Sequence, residues 1–391
     1  MRNAVNNPFT PGFGDAGVWV DRTAELAVVE AMVRRAALGT RQAPRLIEQE
    51  RGYGKTSLLS AVADAAAGWV PGTVVVRVTA VEGEAFLAAF ALRLTQAAAT
   101  LDGTGERLAV RIAQTLASVR QIRIAGVLDV TMDHEGKDMP ASIALGRALT
   151  DLAARARTAG VTVAFLIDEA QAIDAESRRA VFTAVQETER PDTDGLLPPF
   201  AWLLAGLPGT RGKFKAHRVT FGERCRDLPL VGLDSEAVRA TLLRFGEFND
   251  AGVAFAPDAI EALIDACSGH PHVFQLIGEG AWDATADTRT ITVDDVAAGV
   301  GSSAAERLRI AAARLDGLDS GETGWARAMA GLASDDRTLT KICRAYRADP
   351  AATAAQCGST ADRLLRKGII RRSGGDLVFA LPGIEELLAR D

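Results

Sequence analysis

Residues 46–59 read LIEQERGYGKTSLL: a short apolar start at Leu46 and Ile47, then a glycine-bearing turn, then residues with helical preference. A turn that cradles phosphate between a strand and a helix is written G-x-x-x-x-G-K-[ST]. Its backbone N–H groups wrap the phosphate oxygens, its lysine reaches the β and γ oxygens, and its hydroxyl holds magnesium. Gly52, Tyr53, Gly54, Lys55, Thr56 and Ser57 stand in that register, but Gln49 occupies the place of the first glycine. Gln49 gives up easy access to positive φ and puts a side chain at the mouth of the loop. Glu50 adds negative charge beside it. A Gly-Lys-Thr on a strand–helix turn also arises by chance, so the loop alone leaves both readings open.

A second stretch shifts the balance. VAFLIDEA, about 110 residues further on, is a wholly apolar run closed by Asp168 and Glu169. In phosphate-loop enzymes the strand-end Asp coordinates magnesium and the following Glu polarises the attacking water. Two acids could equally be a solvated strand end. Their place in an alternation of strands and helices, after a lysine–threonine turn, favours a nucleotide site.

That alternation runs from DRTAELAVVEAMVRRAAL, a helix, through PRLIEQE, the loop and the helix TSLLSAVADAAAGW. It continues with the β-branched TVVVRVTA, the helix GEAFLAAFALRLTQAAATL, the helix ASIALGRALTDLAARARTAG, the VTVAFLIDE strand and FAWLLAGLPG. An added strand or two is expected in IRIAGVLDVTM, residues 122–132. The pattern predicts an α/β fold: a parallel sheet with helices on both faces. From Ser235 the segments become helical with caps or breakers between them and no strand, which predicts an all-α domain. After residue 316, three short helical segments precede GIIRRSGGDLVFALPG, where Gly374-Gly375 between two β-type runs signals a tight hairpin. Helices followed by a hairpin predict a winged helix-turn-helix. The expected domains are 1–234, a nucleotide-binding domain with an N-terminal arm; 235–316, a helical lid; and 317–391, the winged helix.

At this point the chain resembles the AAA+ ATPases, within them the origin-recognition-like and STAND-type branch, over nearly its whole length. RGYGKTSLL, FLIDEAQAID and WLLAGLPGT, followed by the helical lid, keep that family's order. The resemblance implies ATP or ADP as ligand, Mg2+ held by Thr56 and Asp168, phosphate clamped by Lys55 and water oriented by Glu169. ERC in TFGERCRDLPL looks like the family's arginine-bearing box, so Arg224, with Arg226 as fallback, would reach a neighbouring subunit's γ-phosphate in a homo-oligomer. The bland reading is a surface arginine. Gly269-His270-Pro271 looks like the Gly-x-Pro turn of the STAND branch, whose Pro271 would sit close to nucleotide, and it stands where ring-forming relatives usually carry a sensor arginine. His270 and His272 flanking a proline suit helix-start packing, and no metal is assigned to them. Val20 and Arg22 fall on the adenine-side segment, with Asp21 where a glycine is common.

Positive charge concentrates at the C-terminus. Arg363, Arg366 and Lys367 lie on the expected third helix, and Arg371 and Arg372 on the wing. A helix in the major groove with a wing on the backbone would set these charges against the phosphates of duplex DNA. Winged helices also bind protein partners, and basic surface helices are often merely solvated, so both alternatives stand.

Composition bounds the rest. The 391 residues carry 48% hydrophobic and 24% charged residues, ordinary for globular domains, and a net charge of -6 excludes a polycation that coats nucleic acid. The four cysteines form no C-x-x-C pair, so neither a zinc site nor a disulfide framework is expected, and a reducing cytoplasm fits best. No run reaches the roughly 18 apolar residues of a membrane helix, so no membrane association is expected. Two functional readings follow: an ATP-hydrolysing switch that oligomerises and engages DNA, or a nucleotide-held regulator with little turnover that recruits a protein. A site that has lost nucleotide altogether fits poorly with four retained site residues.

Overall fold

The computed structural model describes residues 3–12, 17–101, 105–117, 139–191, 194–286 and 288–390. They form two compact units, one comprising Arg22–Arg51 and Lys55–Leu230, the other the residues up to Asp21, Gly52–Gly54 and Val231–Asp391. The expected strands within residues 122–132 lie outside the described residues.

The first unit is a parallel sheet wrapped by helices. In chain order it runs α1 (Thr23–Ala37), β1 (Arg45–Glu48), α2 (Lys55–Trp69), β2 (Val74–Thr79), α3 (Phe86–Ala99), α4 (Gly105–Ala117), α5 (Ala141–Thr158) and β3 (Val163–Asp168). Then follow α6 (Ala175–Thr188), β4 (Phe200–Gly206), α7 (Thr210–Ala216), α8 (Phe221–Arg224) and β5 (Arg226–Asp227). The strand order is β2-β3-β4-β1-β5, with every pairing parallel. Every residue of β3 and β4 is buried, as expected of central strands covered on both faces. Their core is aromatic at its centre: Phe165 and Trp202 stack at 3.9 Å, and Phe90 lies against both. Register fixes what matters for chemistry. Glu48 at the end of β1 pairs with Gly206 at the end of β4, and Ile167 pairs with Leu204, so the loop after β1 and the acids ending β3 emerge from the same edge. In open α/β sheets that carboxyl edge is where ligands bind.

The second unit is mainly helical: α9 (Ser235–Leu243), α10 (Phe245–Phe248), β6 (Ala254–Phe255), α11 (Pro257–Cys267), α12 (Pro271–Ala284), β7 (Thr290–Ile291), α13 (Val293–Ser302) and α14 (Ala304–Leu315). The two-residue strands β6 and β7 pair in parallel, where the sequence predicts no strand; pieces this short carry no periodicity to detect. The unit ends with α15 (Ser320–Ala330), α16 (Leu339–Arg347), α17 (Gly358–Arg366), the antiparallel hairpin β8 (Ile370–Ser373) and β9 (Asp376–Phe379), and α18 (Ile384–Arg390). Ser373 pairs with Asp376, so Gly374-Gly375 is the two-residue connection, with Gly374 at φ 60°.

The N-terminal arm shares this unit's core. Phe9 contacts the rings of Phe245, Phe255 and Phe274, and Gly278 makes room for it, since a Cβ there would lie 2.2 Å from Phe9 Cε1. Gln275 Nε2 donates to the Val18 carbonyl at 2.8 Å, and Trp282 Nε1 to that of Asn3 at 2.9 Å.

One expectation is overturned here. Cys343 on α16 and Cys357, just before α17, form a disulfide with Cα atoms 5.8 Å apart. A helix, a short turn and a return bring together two cysteines that spacing alone left unrelated. The cysteines therefore give no argument for a reducing compartment. Cys225 and Cys267 are buried thiols, pushed up by burial to about 12 and about 11 respectively. No helix among the described residues is long and apolar enough to cross a membrane.

Candidate active site

The carboxyl edge of the sheet gathers the residues that the two motifs supply. Thr56, in the first turn of α2, donates through Oγ1 to Asp168 Oδ2 at 2.7 Å, although 112 positions separate them. Asp168 is 2% exposed, and its Oδ1 accepts the backbone N–H of Glu169 at 2.9 Å. Glu169 lies in the left-handed region at φ 52°. A non-glycine residue there carries roughly 1–3 kcal/mol of strain, of the kind that persists where surrounding structure over-determines a functional turn. Lys55 is 5% exposed, and its Nζ donates to the carbonyls of Gln49 at 2.7 Å and Glu50 at 2.9 Å. Burial draws its pKa down, while the carboxylates of Glu169, Asp168 and Glu50 work the other way. Ser57 follows on the first turn of α2, where N–H groups lack helical partners and favour an anion.

Gln49 resolves the anomaly of the missing glycine. It is not among the described residues with positive φ, so the turn does not need glycine here. Its N–H donates to Gly206 O at 3.1 Å, its Nε2 to Leu230 O at 2.6 Å, and its Oε1 accepts the N–H of Glu50 at 2.8 Å. The side chain is consumed in closing the loop's entry rather than standing in it.

Within the helical unit, Gly52 and Gly54 both sit at φ 84°, a conformation that favours glycine. Gly52 is further fixed by close approach: a Cβ would lie 2.7 Å from His270 Cε1, and its carbonyl accepts the N–H of His272 at 3.1 Å. Tyr53 is buried, with its ring edge-on to His270 at 4.9 Å and the Arg314 guanidinium 5.9 Å from its centroid. His270 caps α12, accepting Val273 N–H through Nδ1, and Pro271 opens that helix. Burial, with the nearby charges of Arg314 and His272, holds the His270 imidazole down at about 3, hence neutral at ordinary pH. The segment before α1 contains two consecutive left-handed residues, Asp21 at φ 56° and Arg22 at φ 79°. The position where glycine is common does take a glycine-like conformation, and an aspartate bears it.

Arg224 ends α8 with its side chain 53% exposed, 3.4 Å from Glu189. Arg226 is exposed on the edge strand β5. The basic residues of the C-terminal region are placed unequally. Arg371 and Arg372 are exposed on β8. Arg363 and Lys367 instead ion-pair with Glu322, a carboxylate on α15 only 1% exposed, at 2.9 Å and 2.5 Å. Burial works to raise the pKa of Glu322, yet hydrogen bonds from Lys367, the Asp319 N–H and Arg363 hold it down at about 2. The side chain of Arg366 lies outside the described residues.

Sequence reasoning missed two residues beside the acids. Gln171 touches Glu169 directly, and Arg178, fully buried, reaches the carbonyls around residues 170–173 and contacts His217 Nδ1 at 2.6 Å. The signal for Gln171 lay in DEAQ, one turn past the strand; Arg178 gave none, because a helical arginine reads as solvated.

No protein-family model matches the chain, and no curated protein sequence matches it. Solved structures do. The ORC2 protein of Aeropyrum pernix, in its ADPNP–ADP complexes, superposes with a TM-score of 0.57 at 15% identity, covering 99% of this chain and 95% of that one. A Walker-type ATPase of Pyrococcus abyssi gives 0.55 at 15% identity, covering 95% and 96%. At such identity the likeness is one of fold: the chain has the phosphate-loop ATPase fold with a helical C-terminal region.

Proposed function

We propose that this chain binds ATP with Mg2+ and hydrolyses it, as an AAA+/STAND-type switch that assembles with further copies and engages duplex DNA through a winged-helix C-terminus. The observation that carries the reading is the 2.7 Å bond between Thr56 and Asp168, which unites the two motifs beside a buried Lys55. Hydroxyl and buried carboxylate are hard oxygen donors, which suits them to Mg2+. Bound there, the ion would neutralise charge on the β and γ phosphates.

The chain's own groups supply the rest. Gly52, Tyr53, Gly54 and Ser57 present backbone N–H groups to the phosphates, and Lys55 exchanges its carbonyl partners for phosphate oxygens. Glu169 orients a water and accepts its proton as the water oxygen bonds to the γ-phosphorus and the bond to the β-bridging oxygen breaks. Arg224 is exposed to serve a neighbouring copy. Arg371, Arg372 and Arg366 meet DNA phosphates. A cytoplasmic location suits this role.

One observation favours the second reading, a nucleotide-held regulator whose C-terminal module recruits a protein. Two of the five basic residues expected on DNA, Arg363 and Lys367, are already paired with Glu322. Steady-state ATP turnover, measured over a range of protein concentrations with and without duplex DNA and with Glu169→Gln as the blank, separates the two. Turnover that rises with concentration and with DNA supports the switch. Turnover at the blank's level throughout removes the hydrolytic reading and leaves the regulator.

A further inference from the structure

Gln171 joins two parts of the sheet edge that the mechanism otherwise treats as separate. Its Nε2 donates to Glu169 Oε2, and its Oε1 accepts the backbone N–H of Leu207 at 3.0 Å, one residue past the end of β4. β4 is a central strand, and its last carbonyl, on Gly206, accepts the N–H of Gln49 at the mouth of the phosphate loop at 3.1 Å. A continuous line of hydrogen bonds thus runs from the loop entry, across the end of β4, through one amide, to the carboxylate proposed to handle water.

The amide is held at both ends. Its own backbone carbonyl accepts from Lys213 Nζ at 3.0 Å and Arg178 Nη2 at 3.4 Å. Gly206 leaves the space it occupies: a Cβ there would lie 3.0 Å from Gln171 Oε1 and 2.3 Å from Thr210 Oγ1. The strand end therefore offers no side chain of its own to the site, and Gln171 supplies the polar contact from the turn that follows β3. Glu169 Oε1 has no hydrogen bond among the described residues, which leaves it as the oxygen available to water.

We propose that Gln171 is a positioning residue for Glu169, fixing the plane of its carboxylate and tying that orientation to the end of β4. The inference rests on the hydrolytic reading above. A side-chain amide carries both the acceptor for Leu207 and the donor for Glu169 on one planar group. Water positioning depends on carboxylate orientation to a fraction of an ångström, so losing the donor should act on the chemical step and not on nucleotide binding.

Gln171→Glu in the full chain tests this. It keeps the volume and the acceptor for Leu207 but replaces the donor with a second carboxylate facing Glu169. The measurements are kcat and KM for ATP, affinity for a fluorescent non-hydrolysable ATP analogue, and Tm. The expected result is a kcat lower by roughly 10-fold to 100-fold with analogue affinity within about 2-fold of wild type. Gln171→Ala, which removes the donor without adding charge, should show the same split and serves if Gln171→Glu lowers Tm. Wild-type kcat in both variants, or a kcat loss matched by an equal loss of analogue affinity, overturns the positioning role while leaving the ATPase reading in place. Wild-type turnover no greater than that of Glu169→Gln overturns both.

Discussion

The sheet edge and the C-terminal basic region both offer charged residues that the sequence marks out, yet the fold treats them oppositely. At the edge, Lys55, Thr56 and Asp168 converge beside Glu169; the lysine is held by backbone carbonyls and the threonine and aspartate by each other, contacts that a phosphate or a metal ion can replace. In the C-terminal region, Arg363 and Lys367 are turned onto a buried carboxylate that no ligand replaces without leaving Glu322 unpaired. The number of charges says little about function. What their partners are, and what displacing those partners would cost, says more.

Lys55→Ala should break the edge most severely. Loss of a charge-assisted bond to phosphate lowers nucleotide affinity roughly 100-fold, read by titration of a fluorescent analogue, whereas Glu169→Gln keeps affinity and loses turnover. On the other side, reduction of the Cys343–Cys357 bond should cost the C-terminal region about 3 kcal/mol, the value for a loop of about 15 residues, read as a lower urea midpoint in dithiothreitol. Glu322→Ala removes the reciprocal cap with Asp319 and both ion pairs, and should cost about 2 kcal/mol in the same assay.

Acid titration separates the two histories further. Glu322 titrates near 4.5 unfolded and about 2 folded, so its contribution is complete above about pH 4.5 and is lost as pH falls toward 2. His270 is held near 3 against 6.5, so the unfolded chain takes its proton first, and stability declines from pH 6.5 downward. Glu322→Gln should flatten the lower window, and His270→Asn, which keeps a capping acceptor, the upper; urea midpoints against pH would show each. The smallest expected effect sharpens the comparison most. Arg371→Glu with Arg372→Glu should weaken duplex DNA binding roughly 10-fold and lower the salt slope by about 2. Arg363→Gln with Lys367→Gln should instead lower Tm with little change in DNA affinity, and the reverse pattern would place the interface on α17.

The strand–helix alternation was legible because buried parallel strands must be continuously apolar, and VAFLI and FAWLLAG are. The two motifs were legible because phosphate chemistry admits few residue types at fixed spacing. Gln171, Arg178 and the pairing of Glu322 were not, because each depends on which polar group lies across a gap in space. The arm's membership in the helical core was hidden for the same reason: Phe9 has no periodic neighbours in sequence, only Phe245, Phe255 and Phe274 in the fold. Cys343 and Cys357 were misjudged because spacing rules describe metal knuckles and say nothing of helices that double back.

The glutamine at the mouth of the phosphate loop bears on how such a protein would be re-engineered. Restoring the textual consensus with Gln49→Gly would delete the amide that ties β1 to the carbonyl of Leu230 and would add roughly 0.5–1 kcal/mol of chain freedom to the unfolded state. Here the deviation closes the loop's entry, and a design guided by agreement with the motif would remove that closure.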